Sequence, residues 1–325
     1  MSSPNDVCAI TDLDRAICLC TDEDCIRRRA LLVPPTEPGI YEGIPDTVYH
    51  SDENSLSSSG AKTLLQDGGP AEFVYDREHP RPPKAAFDTG HLVHGLVLGV
   101  GAPVAVLDPA KHGLKADGKP AEQPKQTTMW KKAEREARAR GEIPVHIDDW
   151  HDAEAMAVAV HKHKRAAEIL AEGRPEVSGY WRDAETDVLL RIRPDWLRPG
   201  LIADLKTCRY GHATKAGFER AVRDYGYHVS MAMYLDGIKQ LTGEECGWEF
   251  IVVETSRAHR VAVFYPDDEM LMEGYRLYRN AVHIYADCLG TGQWPGLPDS
   301  QQISLPRWAV HRPDNNPEEY FVDDL

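Results

Sequence analysis

Residues 192–207 read IRPDWLRPGLIADLKT. Two aspartates, Asp195 and Asp204, lie nine positions apart, and Lys206 follows the second by two. Around them the segment is apolar and β-branched, and Pro-Gly punctuates it at 199–200. That pattern predicts two strands joined by a tight turn. Residues i and i+2 of a strand share a face, so Asp204 and Lys206 project together with Leu205 turned into the core behind them. A hairpin of this length brings Asp195 from the neighbouring strand beside Asp204. Two adjacent carboxylates favour a shared proton or a bound cation, and oxygen ligands select a hard one, Mg²⁺ or Mn²⁺. A lysine beside the cation could orient or deprotonate a water and stabilise charge developing on a phosphate. The bland alternative is a surface Asp–Lys pair worth under about 1 kcal/mol. The apolar setting argues against it, because unpaired carboxylates are costly to bury.

The strands sit within a longer alternation. Upstream, AAFDTGHLVHGLVLG (85–99) has apolar residues at helical spacing, with His91 and His94 three apart and so near neighbours on the helix surface. GAKTLLQ follows three serines and reads as a capped helix, and PAEFVYDREHPRPP as irregular structure broken by proline. MWKKAEREARARG (129–141) is a charged helix, and 148–173 an amphipathic one capped by Asp148 or Asp149, with HKHK on its solvated face. Residues 177–208 read as three strands: one with Tyr180 and Trp181, one over VLLRIRPDWL, one over GLIADLKTC. Residues 215–243 read as one helix, then come two strands, WEFIVVET and RVAVFYP, and a long helix over 267–289. The expected class is α/β (α+β), a central mixed sheet flanked by helices, with no repeat and no phosphate-binding glycine loop. Residues 1–38 are expected to be an acidic arm, 39–312 the folded domain, and 313–325 an acidic tail.

The chain has 325 residues and a formal charge of −15. Residues 1–60 hold 11 acidic and 4 basic side chains, whereas 111–140 hold 9 basic and 4 acidic. Surface charges are screened beyond about 8–10 Å at physiological salt, so an acidic chain can still offer a basic track. Lys131, Lys132, Arg135 and Arg138 are the candidates for contact with a nucleic-acid backbone, against the plainer reading of a solvated helix. No apolar run is long enough to span a bilayer and the start does not read as a signal peptide, so a soluble, cytoplasmic protein with no membrane partner is expected. The seven cysteines do not suggest a disulfide framework. Cys8, Cys18, Cys20 and Cys25 match no common zinc spacing and are read as reduced thiols of the arm, with a Zn²⁺ or iron–sulfur site as the lesser alternative; Cys208, Cys246 and Cys288 are read as buried thiols.

RPD followed nine residues later by DLKT resembles the PD-(D/E)XK nuclease superfamily, and more closely the RecE-type phage exodeoxyribonucleases (exonuclease VIII-like, of the RecB-like group). Four other stretches agree in order and spacing: YHSDENSLSSSGAKTLL, FDTGHLVHGLVL, DYGYHVSMAMYLDG and CLGTGQWPGLP with LPRWA. The resemblance covers about 40–312. It implies a PD-(D/E)XK core in which Lys206, Asp195 and Asp204 are catalytic. It implies that His94, Asp195, Asp204 and the Leu205 carbonyl hold Mg²⁺ or Mn²⁺, while His91 matches no ligand position and is a neighbour or structural residue. It places Glu176, Tyr227, His228 and Tyr234 near the site. It further implies 5′→3′ digestion of double-stranded DNA ends to leave 3′ single strands, a ring-shaped homo-oligomer, a single-strand annealing protein as partner, and a host-cell cytoplasm if the chain is phage-encoded. Related nucleases with an iron–sulfur cluster carry three cysteines near the C-terminus, where this chain has Cys288 alone. The competing readings are an endonuclease or single-strand nuclease on the same core, a non-catalytic DNA-end-binding recombination scaffold, and a metal-binding regulator built on the N-terminal cysteines.

Overall fold

The computed structural model describes residues 32–79 and 89–306. Residues 1–31 of the expected arm, with Cys8, Cys18, Cys20 and Cys25, and the acidic tail 313–325 lie outside the described residues. The chain begins with strand β1 (Gly39–Tyr41), the short helix α1 (Asp46–His50), strand β2 (Leu56–Ser57) and helix α2 (Ser58–Leu64). Ser57 caps α2 by accepting from the Gly60 N–H. The next stretch is helix α3 (Gly69–Glu78) rather than the irregular segment its prolines suggested. Pro70 lies in the first turn, where its missing N–H has no intrahelical partner to lose, so it opens a helix instead of breaking one.

Helix α4 (Thr89–Leu98) leads to a small outlying unit made of β3 (Val104–Leu107), α5 (Pro109–His112), α6 (Thr128–Ala139) and β4 (Ile143–His146). β3 and β4 pair in parallel. The expected helix over 148–173 is two helices, α7 (Ile147–Lys162) and α8 (Lys164–Leu170). Their caps are imidazoles, not Asp148 or Asp149: His146 accepts from the Asp148 N–H and His163 from the Ala166 N–H. The strands follow: β5 (Arg174–Pro175), β6 (Ser178–Arg182), β7 (Leu189–Ile192), β8 (Trp196–Arg198) and β9 (Leu201–Cys208). The expected helix over 215–243 is also divided, into α9 (Lys215–Tyr225) and α10 (Tyr227–Thr242), at Gly226, which has a φ of 62°. Glycine takes that conformation without the penalty a Cβ incurs. β10 (Gly247–Glu254), β11 (Val261–Phe264) and the long α11 (Asp268–Thr291) complete the described fold.

The strands form a five-stranded sheet in the order β11-β10-β9-β8-β5 and a four-stranded sheet in the order β1-β6-β7-β2, besides the β3-β4 pair. The strand expected over VLLRIRPDWL is therefore two strands in two different sheets. Pro194 lies at the break; it has no N–H to give a ladder and ends strands for that reason. β9 runs parallel to β10, with Leu205 opposite Ile251 and Lys206 opposite Val252. On one face of this sheet Ala203, Leu205, Ile251 and Val253 pack against Leu92 and Val93 of α4, Met156 and Val160 of α7, and Ile169 of α8. On the other, Ile202, Trp248, Phe250 and Val252 pack with residues of α2, α9, α10, α11 and the four-stranded sheet. Among the described residues no helix is long and apolar enough to cross a membrane.

Helix α10 approaches the four-stranded sheet at Gly237. A Cβ there would lie 2.7 Å from two ring carbons of Trp181 and 2.9 Å from Ile192 Cδ1. Gly237→Ala gains helix propensity but overpacks a contact with a rigid indole, and overpacking costs about 1–3 kcal/mol. The urea midpoint of Gly237→Ala is expected to fall; a midpoint at or above wild type would mean that the helix and sheet are less tightly packed here.

Candidate active site

The site forms where β9 parts from its neighbour. The antiparallel β8–β9 ladder ends at Trp196 opposite Ala203, because the chain preceding Trp196 turns into the other sheet. The Leu205 N–H and C=O on that edge are then satisfied by side chains. Asp195 Oδ2 accepts from the Leu205 N–H at 2.7 Å, and His94 Nε2 lies 2.7 Å from the Leu205 carbonyl oxygen. The other ring nitrogen of His94, Nδ1, is 3.8 Å from Asp195 Oδ2. His94, 111 residues away in sequence, and Asp195, 10 residues away, thus meet around the Leu205 peptide unit. Helix α4 can deliver His94 there because Leu92, Val93, Val97 and Leu98 are buried against α7, α8 and β9.

Glu176 adjoins this cluster. Its N–H donates to the Asp195 carbonyl at 3.1 Å. Its φ of 46° is the left-handed conformation that costs a residue with a Cβ stability. Burial raises its carboxyl above the usual range, Asp46, Asp195 and their like charge add to that, and Arg193 and His94 oppose it.

Asp204 and Lys206 share the opposite face of β9, as the period-2 reading requires. Lys206 Nζ is 2.6 Å from Asp204 Oδ2. Asp204 is 8% exposed. Burial pushes its carboxyl up to about 6, the Lys206 ammonium pulls it down, and Asp195 pushes it up again. For Lys206, burial favours the neutral amine, but the carboxylates of Asp204 and Asp195 outweigh it and hold the ammonium above its ordinary value. Lys206 is therefore a cation in this site. Its Nζ lies 5.3 Å from the centre of the Tyr227 ring, within cation–π range. Tyr234, whose hydroxyl is 3.5 Å from Ser58 Oγ, has its phenol pushed up to about 12 by burial and stays a hydrogen-bond donor at neutral pH.

These groups border a cavity of about 420 Å³ lined by His91, His94, Glu176, Asp195, Leu205, Lys206, Tyr227 and Tyr234. The rest of its wall includes residues that were not candidates from the sequence, among them Asp46, Tyr49, Ser57 to Ser59 and Arg193. Arg193 is fixed there by bonds to Ser178 Oγ (2.9 Å), Asp46 Oδ1 (2.6 Å) and the Ile44 carbonyl (2.9 Å), with its guanidinium 4.0 Å from the Tyr49 ring centre. A signal for it was available, since Arg193 precedes Asp195 by two and so shares its face in an extended chain.

The structure does not bring every candidate to the cavity. His228 turns its Nδ1 towards the Val222 carbonyl, 3.4 Å away, and does not line the cavity. It directly follows Tyr227, and successive residues of a helix point about 100° apart. Lys131, Lys132, Arg135 and Arg138 are exposed on α6, in the unit built on β3 and β4, and none borders the cavity; Lys132 pairs with Glu136 at 3.7 Å. Among the described residues no three His, Cys, Asp or Glu side chains come together closely enough to form a metal site by themselves. The convergence at β9 consists of two side chains and a backbone carbonyl, with Asp204 turned to Lys206. Cys208 and Cys246 are half-buried free thiols and Cys288 a buried one.

A split mixed sheet, an Asp and an Asp-x-Lys at its parting edge, and a helix that sets a histidine against them define a PD-(D/E)XK nuclease-like domain. Comparison with known families bears this out. The chain belongs to the family described as PDDEXK-like domain of unknown function (DUF3799), whose model matches residues 57–304. Among solved structures, a protein of Eubacterium rectale described as "Putative exonuclease" shares the fold, with a TM-score of 0.52 and 15% identity over 82% of this chain and 96% of that one. A phage-related exonuclease from Haemophilus somnus 129PT matches at a TM-score of 0.31 and 11% identity, over 74% of this chain and 96% of that one. No curated protein sequence matches.

The role given to Asp195 in holding the β9 edge has a consequence for stability. Asp195→Ala leaves the Leu205 N–H without its acceptor, and an unsatisfied buried donor costs about 1–3 kcal/mol. Asp195→Asn keeps a carbonyl oxygen and should lose less. Urea denaturation of the two variants is expected to rank wild type above Asn above Ala; equal stability of Ala and wild type would show that this bond does not hold the strand.

Proposed function

We propose that this protein is a metal-dependent deoxyribonuclease that degrades double-stranded DNA from its ends, of the RecE-like exonuclease kind. The observation that carries the reading is the meeting of His94, Asp195 and the Leu205 carbonyl at the parting edge of β9, beside the Asp204–Lys206 pair and open to one cavity. The description of the Eubacterium rectale fold relative as a "Putative exonuclease" agrees with it.

The donors at this edge are an imidazole and several oxygens, a set suited to a hard divalent cation rather than a thiophilic one. His94, Asp195, Asp204 and the Leu205 carbonyl would hold Mg²⁺ or Mn²⁺. Such an ion supplies Lewis acidity at the phosphate and makes a water more acidic. The chain's own groups do the rest. Lys206, facing Asp204 and Asp195, orients a water and stabilises the negative charge that builds on the phosphoryl oxygens. Tyr227 and Tyr234 shape the wall, and Tyr234 keeps its proton as a donor. Hydrolysis forms a bond from the water oxygen to phosphorus and breaks, in line, the bond to the leaving deoxyribose oxygen; the attacking water gives up a proton to solvent and the leaving oxygen takes one from solvent.

On this reading the nuclease domain spans 39–312, with 1–38 and 313–325 as appended arms. The 5′→3′ polarity, the ring-shaped oligomer and a strand-annealing protein that consumes the 3′ single strands belong to the same proposal, and their support is the resemblance of the motifs.

The test uses linear duplex labelled at the 5′ or the 3′ end, with Mg²⁺ or with EDTA, alongside a covalently closed circle. Mg²⁺-dependent release of the 5′ label as small products, with the circle intact, is the expected outcome. Lys206→Ala should slow it by about 10²–10³, the loss seen when one charge-stabilising donor is removed. Cutting of the circle would replace an exonuclease by an endonuclease, and DNA binding with no degradation would leave the scaffold reading.

A further inference from the structure

Behind the cavity wall on the α2 side, next to Tyr227, lies a cation that the mechanism above does not use. Ser58 and Ser59 line the cavity. Lys62 follows them by four and three positions on α2 and so lies on the same helix face. It is half-buried. Its stem crosses Gly226: a Cβ at that position would come within 3.0 Å of Lys62 Cδ and 3.3 Å of Cγ. The left-handed break between α9 and α10 therefore also makes the gap through which Lys62 reaches inward. The ammonium ends 5.9 Å from the centre of the Tyr227 ring, and Lys206 lies 5.3 Å from the same ring. One phenol ring is thus approached by two lysines.

Their surroundings differ in one respect. Lys206 has Asp204 at 2.6 Å, Arg193 has Asp46, and Asp195 is engaged by the Leu205 N–H and His94. Among the described residues no carboxylate lies within ion-pair distance of Lys62. Burial lowers its basicity and Lys206 lowers it further, with Asp204 the opposing charge. A half-buried ammonium held near a second one, without a counter-ion, is an unfavourable arrangement that an anionic ligand would relieve.

We propose that Lys62 is a phosphate-contacting residue of this site, its ammonium binding a non-bridging oxygen of a phosphodiester in the strand next to the one that Lys206 serves. The inference rests on the nuclease reading and adds a second anchoring point to it. Tyr227 sets the spacing between the two lysines, so that neighbouring phosphates of one strand are held at once. The contact fixes the register of the strand over the β9 edge and acts on binding more than on the chemical step.

The experiment compares wild type, Lys62→Met and Lys62→Arg as full chains. Methionine keeps the stem that packs over Gly226 and Tyr227 and removes only the charge. Binding of a short fluorescently labelled duplex, followed by anisotropy in EDTA so that nothing is cut, is measured over a range of NaCl concentrations. Lys62→Met is expected to flatten the log–log salt dependence by about 0.9, the value of one phosphate contact on duplex DNA. In Mg²⁺ it should raise KM about tenfold with a smaller change in kcat, the loss of one charged hydrogen bond. Lys62→Arg should restore both. A Met variant with the wild-type slope and KM overturns the phosphate contact while leaving the nuclease reading intact, and an Arg variant as impaired as the Met one overturns it in favour of packing. A wild-type protein that neither binds nor cuts DNA overturns the nuclease reading and this inference with it.

Discussion

The peptide unit of Leu205 is the constraint around which the described fold is arranged. A strand at the middle of a sheet satisfies its backbone on both sides; β9 does so only as far as Ala203 on the β8 side. Beyond that point the Leu205 N–H and C=O need partners, because unpaired backbone groups in the interior are costly. Asp195 takes the N–H and His94 meets the C=O. Each is committed by larger features: Asp195 by the turn of the chain from one sheet to the other, His94 by the packing of α4 against α7 and α8. Removing the divergence of the sheets would pair the edge and erase the site.

The two faces of β9 divide the chemistry. On the Leu205 side sit the imidazole and the carboxylate that meet the backbone. On the other, Asp204 and Lys206 are stacked beneath α10 and Tyr227. Burial favours the neutral form of both. The lysine keeps its proton because two carboxylates face it, and the Asp204 carboxyl rises towards neutrality because one ammonium does not fully offset its desolvation. Divergent environments of this kind set apart the acid–base characters of neighbouring groups; in the proposed function Lys206 is the positive charge of the pair. In a chain with a formal charge of −15, Lys206 and Arg193 nevertheless border the cavity, each paired with a carboxylate, Asp204 and Asp46.

Much of this was legible from local pattern. Alternation placed Asp204 and Lys206 on one face, and the three-residue offset of His91 and His94 set both on one side of a helix. Both histidines do border the cavity, but only His94 reaches Leu205 and Asp195. The misreadings have identifiable causes. Pro70 looked like a breaker because its position within the helix was not known. Gly226 sits inside an apolar pattern that stays helical on either side, so its left-handed turn was hidden. VLLRIRPDWL looks like one strand because β-propensity cannot register a change of sheet. His228 was grouped with Tyr227, whereas adjacent helical residues point in different directions.

The sequence by itself determined the types of the principal elements, the pairing of Asp204 with Lys206 on one strand face and the chemical character of the donors. These are set by side-chain identity and by the backbone periods of strand and helix, which act over a few residues. Only the tertiary structure decided that His94 and Asp195 meet at the Leu205 peptide with Glu176 beside Asp195, that Arg193 and the serines at the start of α2 join the wall, that the basic residues of α6 do not border the cavity, and that Lys62 comes to the Tyr227 ring. Those facts depend on where two sheets part and how closely helices approach them. That is settled by burial and backbone hydrogen bonding between segments more than a hundred residues apart, as His94 and Leu205 are, and no local period carries it.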